Sequence, residues 1–288
     1  MSSTSIHVEI NGAGPDLVLL HGWALNLRVW DGLVEQLRGR FRLIRLDLPG
    51  HGRSPWLPGH HTPAEQTWLI HQTLATLSGR YALLGWSLGA QIALDLAAAT
   101  PAQVAGLILV AATPKFAAAE DWPHGAAPAV LEKLRSSLHE DHRRAVSDFL
   151  DLQVRATAGG AAVLQQLRQA LFNHGEADSA ALVAALERLS VSDLRAGLAH
   201  VCAPVVTIAG EYDRITPPAA TRALAAALPL ARFIQIGRAA HAPFLSHPDV
   251  FAKLVREFLR SPRAFVQRGS RRRIKARARK KMRANTRR

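Results

Sequence analysis

The stretch Tyr81-Ala82-Leu83-Leu84-Gly85-Trp86-Ser87-Leu88-Gly89 constrains this chain more than any other. Its first four residues form an apolar run of buried-strand length, and Leu88 to Ala99 behind it carries helical spacing and many alanines. Gly85-x-Ser87-x-Gly89 therefore falls where a strand turns sharply into a helix. A serine held in such a strained turn needs neighbours without Cβ, so that the backbones can approach and the hydroxyl can project. Ser87 also opens a helix, whose unpaired N–H groups and dipole favour developing negative charge. The pattern marks Ser87 as a nucleophile.

Strand-length runs recur along the chain with turn residues between them. Ile6 to Ile10 alternates, Leu17 to Leu20 is wholly apolar, and Arg42 to Leu46 alternates. Gly106 to Val110 and Val205 to Ala209 are apolar, and Arg232 to Ile236 closes the series. Thr62 to Leu77 is amphipathic. From Lys115 to Leu189 only helical periodicities appear, broken by Gly-Gly and Asn-His-Gly, which predicts a helical insertion covering the C-terminal ends of the strands. The expected class is α/β, a mostly parallel sheet with helices on both faces and a helical cap. The core is placed at 1–114 and 190–261, the cap at 115–189, and a tail at 262–288.

Strand ends carry the candidate chemistry, because a rigid sheet presents loop tips to a shared site. Asp213 lies just past one strand and His241 just past the last. A serine hydroxyl is a poor nucleophile until a base takes its proton, and an acid then fixes the imidazole tautomer. Among thirteen histidines, position singles out His241; His21, His51 and His247 are its rivals, His247 opening what reads as a surface helix. Asp47 precedes the serine and reads as structural. His21-Gly22-Trp23 ends the strand Leu17 to Leu20, where the N–H of Trp23 joins that of Leu88 to hold an oxyanion; the alternative for Trp23 is a core aromatic.

The formal charge of +14 suggests nucleic acid until its location is considered. Thirteen Lys or Arg and no Asp or Glu fall in 263–288, so the rest of the chain is close to neutral. The tail is expected to be disordered and independent of catalysis, either solvated without a partner or weakly bound to nucleic acid or an acidic protein. The longest apolar run, Val104 to Ala112, is too short to span a membrane, and the first residues show no secretory pattern, so a cytoplasmic location is expected. The single cysteine, Cys202, is expected to pack in the core. No Cys/His grouping has structural-zinc spacing, and no metal is expected.

Five segments, Leu-His-Gly-Trp-Ala-Leu-Asn (20–26), Asp-Leu-Pro-Gly-His-Gly-Arg-Ser (47–54), Gly-Trp-Ser-Leu-Gly (85–89), Phe-Leu-Asp-Leu-Gln (149–153) and Ala-Ala-His-Ala-Pro-Phe (239–244), resemble, in order, those of the α/β-hydrolases and, within them, the methyl ester esterases of biotin synthesis. The resemblance covers about residues 5 to 260. It implies a triad of Ser87, Asp213 and His241, with Trp23, Ser87, Leu88, Phe149, Leu150, Asp151, Leu152, Gln153 and His241 lining the acyl site. The implied reaction is hydrolysis of a methyl ester on a pimeloyl chain held by acyl carrier protein, releasing methanol, without a cofactor. The carrier is the implied partner, and a monomer is expected. A general short-chain carboxylesterase or a carbon–carbon hydrolase would carry the same triad, and a non-catalytic ligand receptor can retain one. Dehalogenases and epoxide hydrolases of this fold place an aspartate at the elbow, which Ser87 argues against.

Overall fold

A computed structural model describes residues 6–57, 62–157 and 159–267. Among the described residues seven strands form one sheet: β1 (Val8–Asn11), β2 (Asp16–Leu20), β3 (Arg42–Leu46), β4 (Tyr81–Trp86), β5 (Val104–Val110), β6 (Val205–Gly210) and β7 (Ala231–Ile236). Their spatial order is β1-β3-β2-β4-β5-β6-β7. Of these strands, β1 runs antiparallel to its neighbour β3 and the other pairs are parallel. Successive residues of a strand point to opposite faces, so the complete burial of Leu107, Ile108, Leu109 and Val110 in β5 means that both faces of the sheet are covered.

The helices are α1 (Asp31–Leu37), α2 (Pro63–Ala75), α3 (Leu88–Ala99), α4 (Pro128–Glu140), α5 (His142–Val154), α6 (Gly160–His174), α7 (Ser179–Val191), α8 (Pro218–Ala227), α9 (Pro243–Ser246) and α10 (Pro248–Arg260). Their starts follow local chemistry. Thr62 and Glu65 form a reciprocal capping box at α2, with Pro63 in the first turn where its missing N–H costs nothing. Asp141 and Asp178 accept N–H groups at the starts of α5 and α7. Helix α3 packs on β4 and β5, α8 on β6 and β7, and α1 on α10. Phe251, Val255 and Phe258, on one face of α10, are fully buried.

Helices α4 to α7 form an insertion between β5 and β6. Its root is closed by an antiparallel bridge between Lys115 and Asp193, whose side chains pair at 3.3 Å, and by the N–H of Leu194 donating to Pro114 O at 2.9 Å. Farther out, the buried Arg188 of α7 reaches into the core, donating to Asp95 at 3.0 Å and to Pro63 O and Thr67 Oγ1.

Two expectations are corrected. Cys202 is exposed rather than packed, because it sits in the loop ahead of β6 and not in the strand itself. The chain also remains packed past Pro262: Phe265 and Val266 are buried, Phe265 stacking edge-on against Phe258 at 5.7 Å. The expected tail boundary therefore cuts through a folded segment, and the tail from 268 onward lies outside the described residues. Among the described residues, no helix is long and apolar enough to cross a membrane.

Candidate active site

Because β2, β4, β6 and β7 are parallel, the residues that follow them emerge at one edge of the sheet. Trp23 follows β2, Ser87 follows β4, Asp213 follows β6 and His241 follows β7. Ser87 has φ 55° and ψ −115°, a conformation that a residue with a Cβ adopts only when its surroundings enforce it. The surroundings are close. A Cβ on Gly85 would strike the carbonyl oxygen of Gly89, and one on Gly89 would strike the carbonyl oxygens of Leu20 and His21, so the elbow is wedged against the end of β2. The N–H of Ser87 donates to Val110 O at 2.9 Å, tying it to β5 as well.

Asp213 and His241 meet. The Nδ1–H of His241 donates to Asp213 Oδ2 at 2.9 Å, while Asp213 Oδ1 accepts the N–H groups of Ile215 and Thr216, both at 2.9 Å. Both side chains are buried. With Nδ1 committed to the carboxylate, the neutral imidazole presents a lone pair at Nε2, which is buried and has no partner among the described residues. Trp86, immediately before Ser87, donates its indole N–H to His241 O at 2.8 Å and lies 5.6 Å from the imidazole ring. The elbow and the histidine are thereby fastened to each other.

The rival histidines have other work. His21 donates through Nδ1 to Gly22 O at 2.8 Å and accepts at Nε2 from the N–H of Leu48 at 2.9 Å, so both nitrogens are used. Burial, with His51 nearby, pushes its pKa down to about 3. Burial also lowers that of His51. His247 precedes α10 and shares a 2.9 Å bond with Ser246. Asp47 is structural, as expected: it is buried and its two oxygens accept from Leu27 N–H, Arg53 N–H and His174 Nε2–H. His7, Glu9 and His174 would have metal-binding spacing, but the Arg28 guanidinium stands among them, 2.5 Å from Glu9 and 3.3 Å from His174.

Of the residues expected at the acyl site, Trp23 and Phe149 meet edge to face at 4.9 Å, and Trp23 donates its indole N–H to Leu182 O in α7. The Trp23 ring is thus also a buried core aromatic. Gln153 accepts the His241 N–H on its carbonyl, at 3.2 Å, and its buried side-chain Oε1 is without a partner among the described residues. Leu150 lines a cleft with Ala24, Val146, Leu171 and Leu182. Leu152 is partly buried against the core. The half-exposed carboxylate of Asp151 accepts from Arg168, which also lines this cleft, at 3.3 Å.

A strained serine elbow and a buried histidine–aspartate pair lie at one edge of a parallel sheet, and the family model described as alpha/beta hydrolase fold matches residues 15–248. A pimeloyl-acyl-carrier protein methyl ester esterase of Nitrosomonas europaea is 43% identical over 248 residues, covering 86% of this chain and 96% of the relative. The protein of the same name from Aeromonas salmonicida is 38% identical over 255 residues, covering 88% and 99%. Among solved structures, an esterase from Exiguobacterium antarcticum superposes with a TM-score of 0.80 at 23% identity, over 89% of this chain and 96% of that one, and supports the fold alone. The chain belongs to the α/β-hydrolase family and, within it, to the pimeloyl-acyl-carrier protein methyl ester esterases.

Proposed function

We propose that the chain is a serine carboxylesterase that hydrolyses the methyl ester of pimeloyl-acyl carrier protein in biotin biosynthesis, with Ser87 as nucleophile, His241 as base and Asp213 as its orienting acid. The observation that carries the chemistry is the His241 ring, bonded to Asp213 through Nδ1 and left with a buried, unpartnered Nε2 beside the serine elbow. The relatives' names carry the substrate.

In this reading Nε2 takes the Ser87 proton as Oγ attacks the ester carbonyl. The N–H groups of Leu88, in the first turn of α3 where helical N–H groups lack intrahelical partners, and of Trp23 hold the oxyanion. Collapse of the tetrahedral adduct breaks the bond to the methoxy oxygen, which leaves as methanol with the proton from His241. Water, deprotonated by the same nitrogen, then cleaves the acyl-enzyme and frees the carboxylate. No cofactor enters these steps.

Trp23, Phe149 and Leu150 supply apolar walls suited to a methylene chain. A free carboxylate end would resist this passage, because burying it unpaired costs several kcal/mol, whereas the methyl ester carries no charge. Carrier proteins of this class are acidic, and the cap offers Lys133, Arg135, Arg143, Arg144, Arg155 and Arg168. Arg143 lines the cleft and pairs with Glu176 at 3.2 Å, and Arg144 is exposed beside it. The reading includes a monomer in the cytoplasm. Its test is growth: the gene restores biotin-independent growth to a bacterium lacking its own esterase, and Ser87→Ala does not. A receptor with no activity would fail this test and would turn over no p-nitrophenyl butyrate.

A further inference from the structure

The C-terminal end of α6 is fastened to two core loops by buried polar side chains that the proposed steps leave unused. Asp47 carries a fully buried carboxylate, a group that is costly to bury without donors. It has three: the N–H of Leu27 at 2.8 Å, the N–H of Arg53 at 2.9 Å and Nε2–H of His174 at 2.8 Å. His174, the last residue of α6, is equally buried. Its Nδ1 accepts from Arg28 Nε at 3.3 Å, which places the ring proton on Nε2, facing the carboxylate. Asn26 Nδ2 adds bonds to Ala170 O at 2.8 Å and Gly175 O at 3.2 Å, and the N–H of Asp178 donates to Gly50 O at 2.8 Å.

Residues 26, 27 and 28 are thus each tied to the end of α6 or to Asp47. The same loop carries Trp23, whose indole is held by Leu182 of the cap, and Ala24, whose φ of 64° is a strained conformation for a residue with a Cβ. We propose that His174 is a positioning residue: through Asp47 it couples the seating of the cap to the placement of the Trp23 N–H in the oxyanion site. The inference rests on the reading of Trp23 and Ser87 given above. An N–H displaced by even a fraction of an ångström meets the oxyanion poorly, and such errors are felt in kcat rather than in ground-state binding.

The test compares wild type, His174→Leu, His174→Gln and Asn26→Ala. Gln offers Asp47 an amide donor at similar reach; Leu offers none. Asn26→Ala removes donors from the cap without orphaning a buried charge, so it decides the matter if His174→Leu does not fold. Active sites are counted with a fluorophosphonate, after which kcat and KM on p-nitrophenyl butyrate and affinity for a trifluoromethyl ketone, which mimics the tetrahedral adduct, are measured. His174→Leu is expected to lose about tenfold in kcat per titrated site, with a parallel loss of ketone affinity and little change in KM. His174→Gln recovers most of both, and Asn26→Ala shows a smaller loss in the same direction. Wild-type kcat per site and unchanged ketone affinity in His174→Leu, or in Asn26→Ala where His174→Leu does not fold, overturn the proposal even if melting temperatures fall. Full turnover by Ser87→Ala would instead overturn the reading of the nucleophile.

Discussion

At the residue scale, Ser87 combines an enforced backbone conformation with a position at the start of α3, where its hydroxyl is the proposed nucleophile. Ser87→Ala keeps the circular dichroism spectrum and lowers kcat on p-nitrophenyl butyrate by about 10³-fold or more. Asp213→Asn lowers it severely as well, because an amide at Oδ2 would favour the wrong imidazole tautomer, and the double variant is no worse than the serine variant alone. Wild-type rates in either single variant contradict the assignment. His21 makes a separate prediction about stability. Its imidazole titrates near 6.5 when free and is held down to about 3 in the fold, so the unfolded chain binds the extra proton between those values. The stability linked to His21 is complete above about pH 6.5 and falls as the pH drops from 6.5 toward 3. Urea midpoints measured across that range fall toward acid in wild type and less steeply in His21→Asn. The role of Asp47 is legible in the sequence from its place ahead of the serine, but its partner His174 is not, since the two meet only through the tertiary fold, 127 residues apart. The exposure of Cys202 is hidden for a related reason: a residue three positions ahead of an apolar run cannot be told from a buried one by periodicity alone.

At the scale of elements, the junction of β4 and α3 is where local sequence and tertiary packing agree most closely. The apolar run and the two glycines announce the turn; the first turn of α3 makes Gly85 obligatory, and the end of β2 makes Gly89 so. The strands are legible because all-apolar runs bounded by turn residues have few other uses, and Arg42–Leu46 and the helix Leu88–Ala99 coincide with the observed β3 and α3. The internal arrangement of the cap is not legible. Its helices show periodicity, but which faces meet is set by contacts such as Arg188 with Asp95 that span distant segments. The resemblance groups Asp151 with Phe149 and Gln153, and only the fold shows that its carboxylate pairs with Arg168. The cap also carries the prediction about the carrier. Arg143→Glu with Arg144→Glu lowers kcat/KM for the carrier-bound methyl ester about tenfold at low salt, spares p-nitrophenyl butyrate, and loses its effect as salt screens the attraction. Equal loss on both substrates would point to damage within the cap.

At the scale of the molecule, parallel strands deliver their C-terminal ends to one edge, and there Trp23 and His241 meet Phe149, Leu182 and Gln153 of the insertion between β5 and β6. The charge follows a different plan, with a nearly neutral body and a basic C-terminal run. Truncation separates the two. Ending the chain after Gln267 leaves small-ester turnover and melting temperature unchanged, whereas ending it after Pro262 removes the buried Phe265 and Val266 and lowers the melting temperature by several degrees. Loss of activity on the longer truncation product would show that the basic run takes part in catalysis. The central claim concerns which bond is broken. A pimeloyl chain on its carrier offers a methyl ester at one end and a thioester at the other, and the proposed threading under the cap delivers the ester to Ser87 while the carrier stays outside. The direct measurement is the product balance from methyl pimeloyl-acyl carrier protein: wild type releases one methanol for each carrier-bound free acid formed, and Ser87→Ala releases none. Release of the acyl chain from the carrier, or methanol formed equally well by Ser87→Ala, would contradict the account.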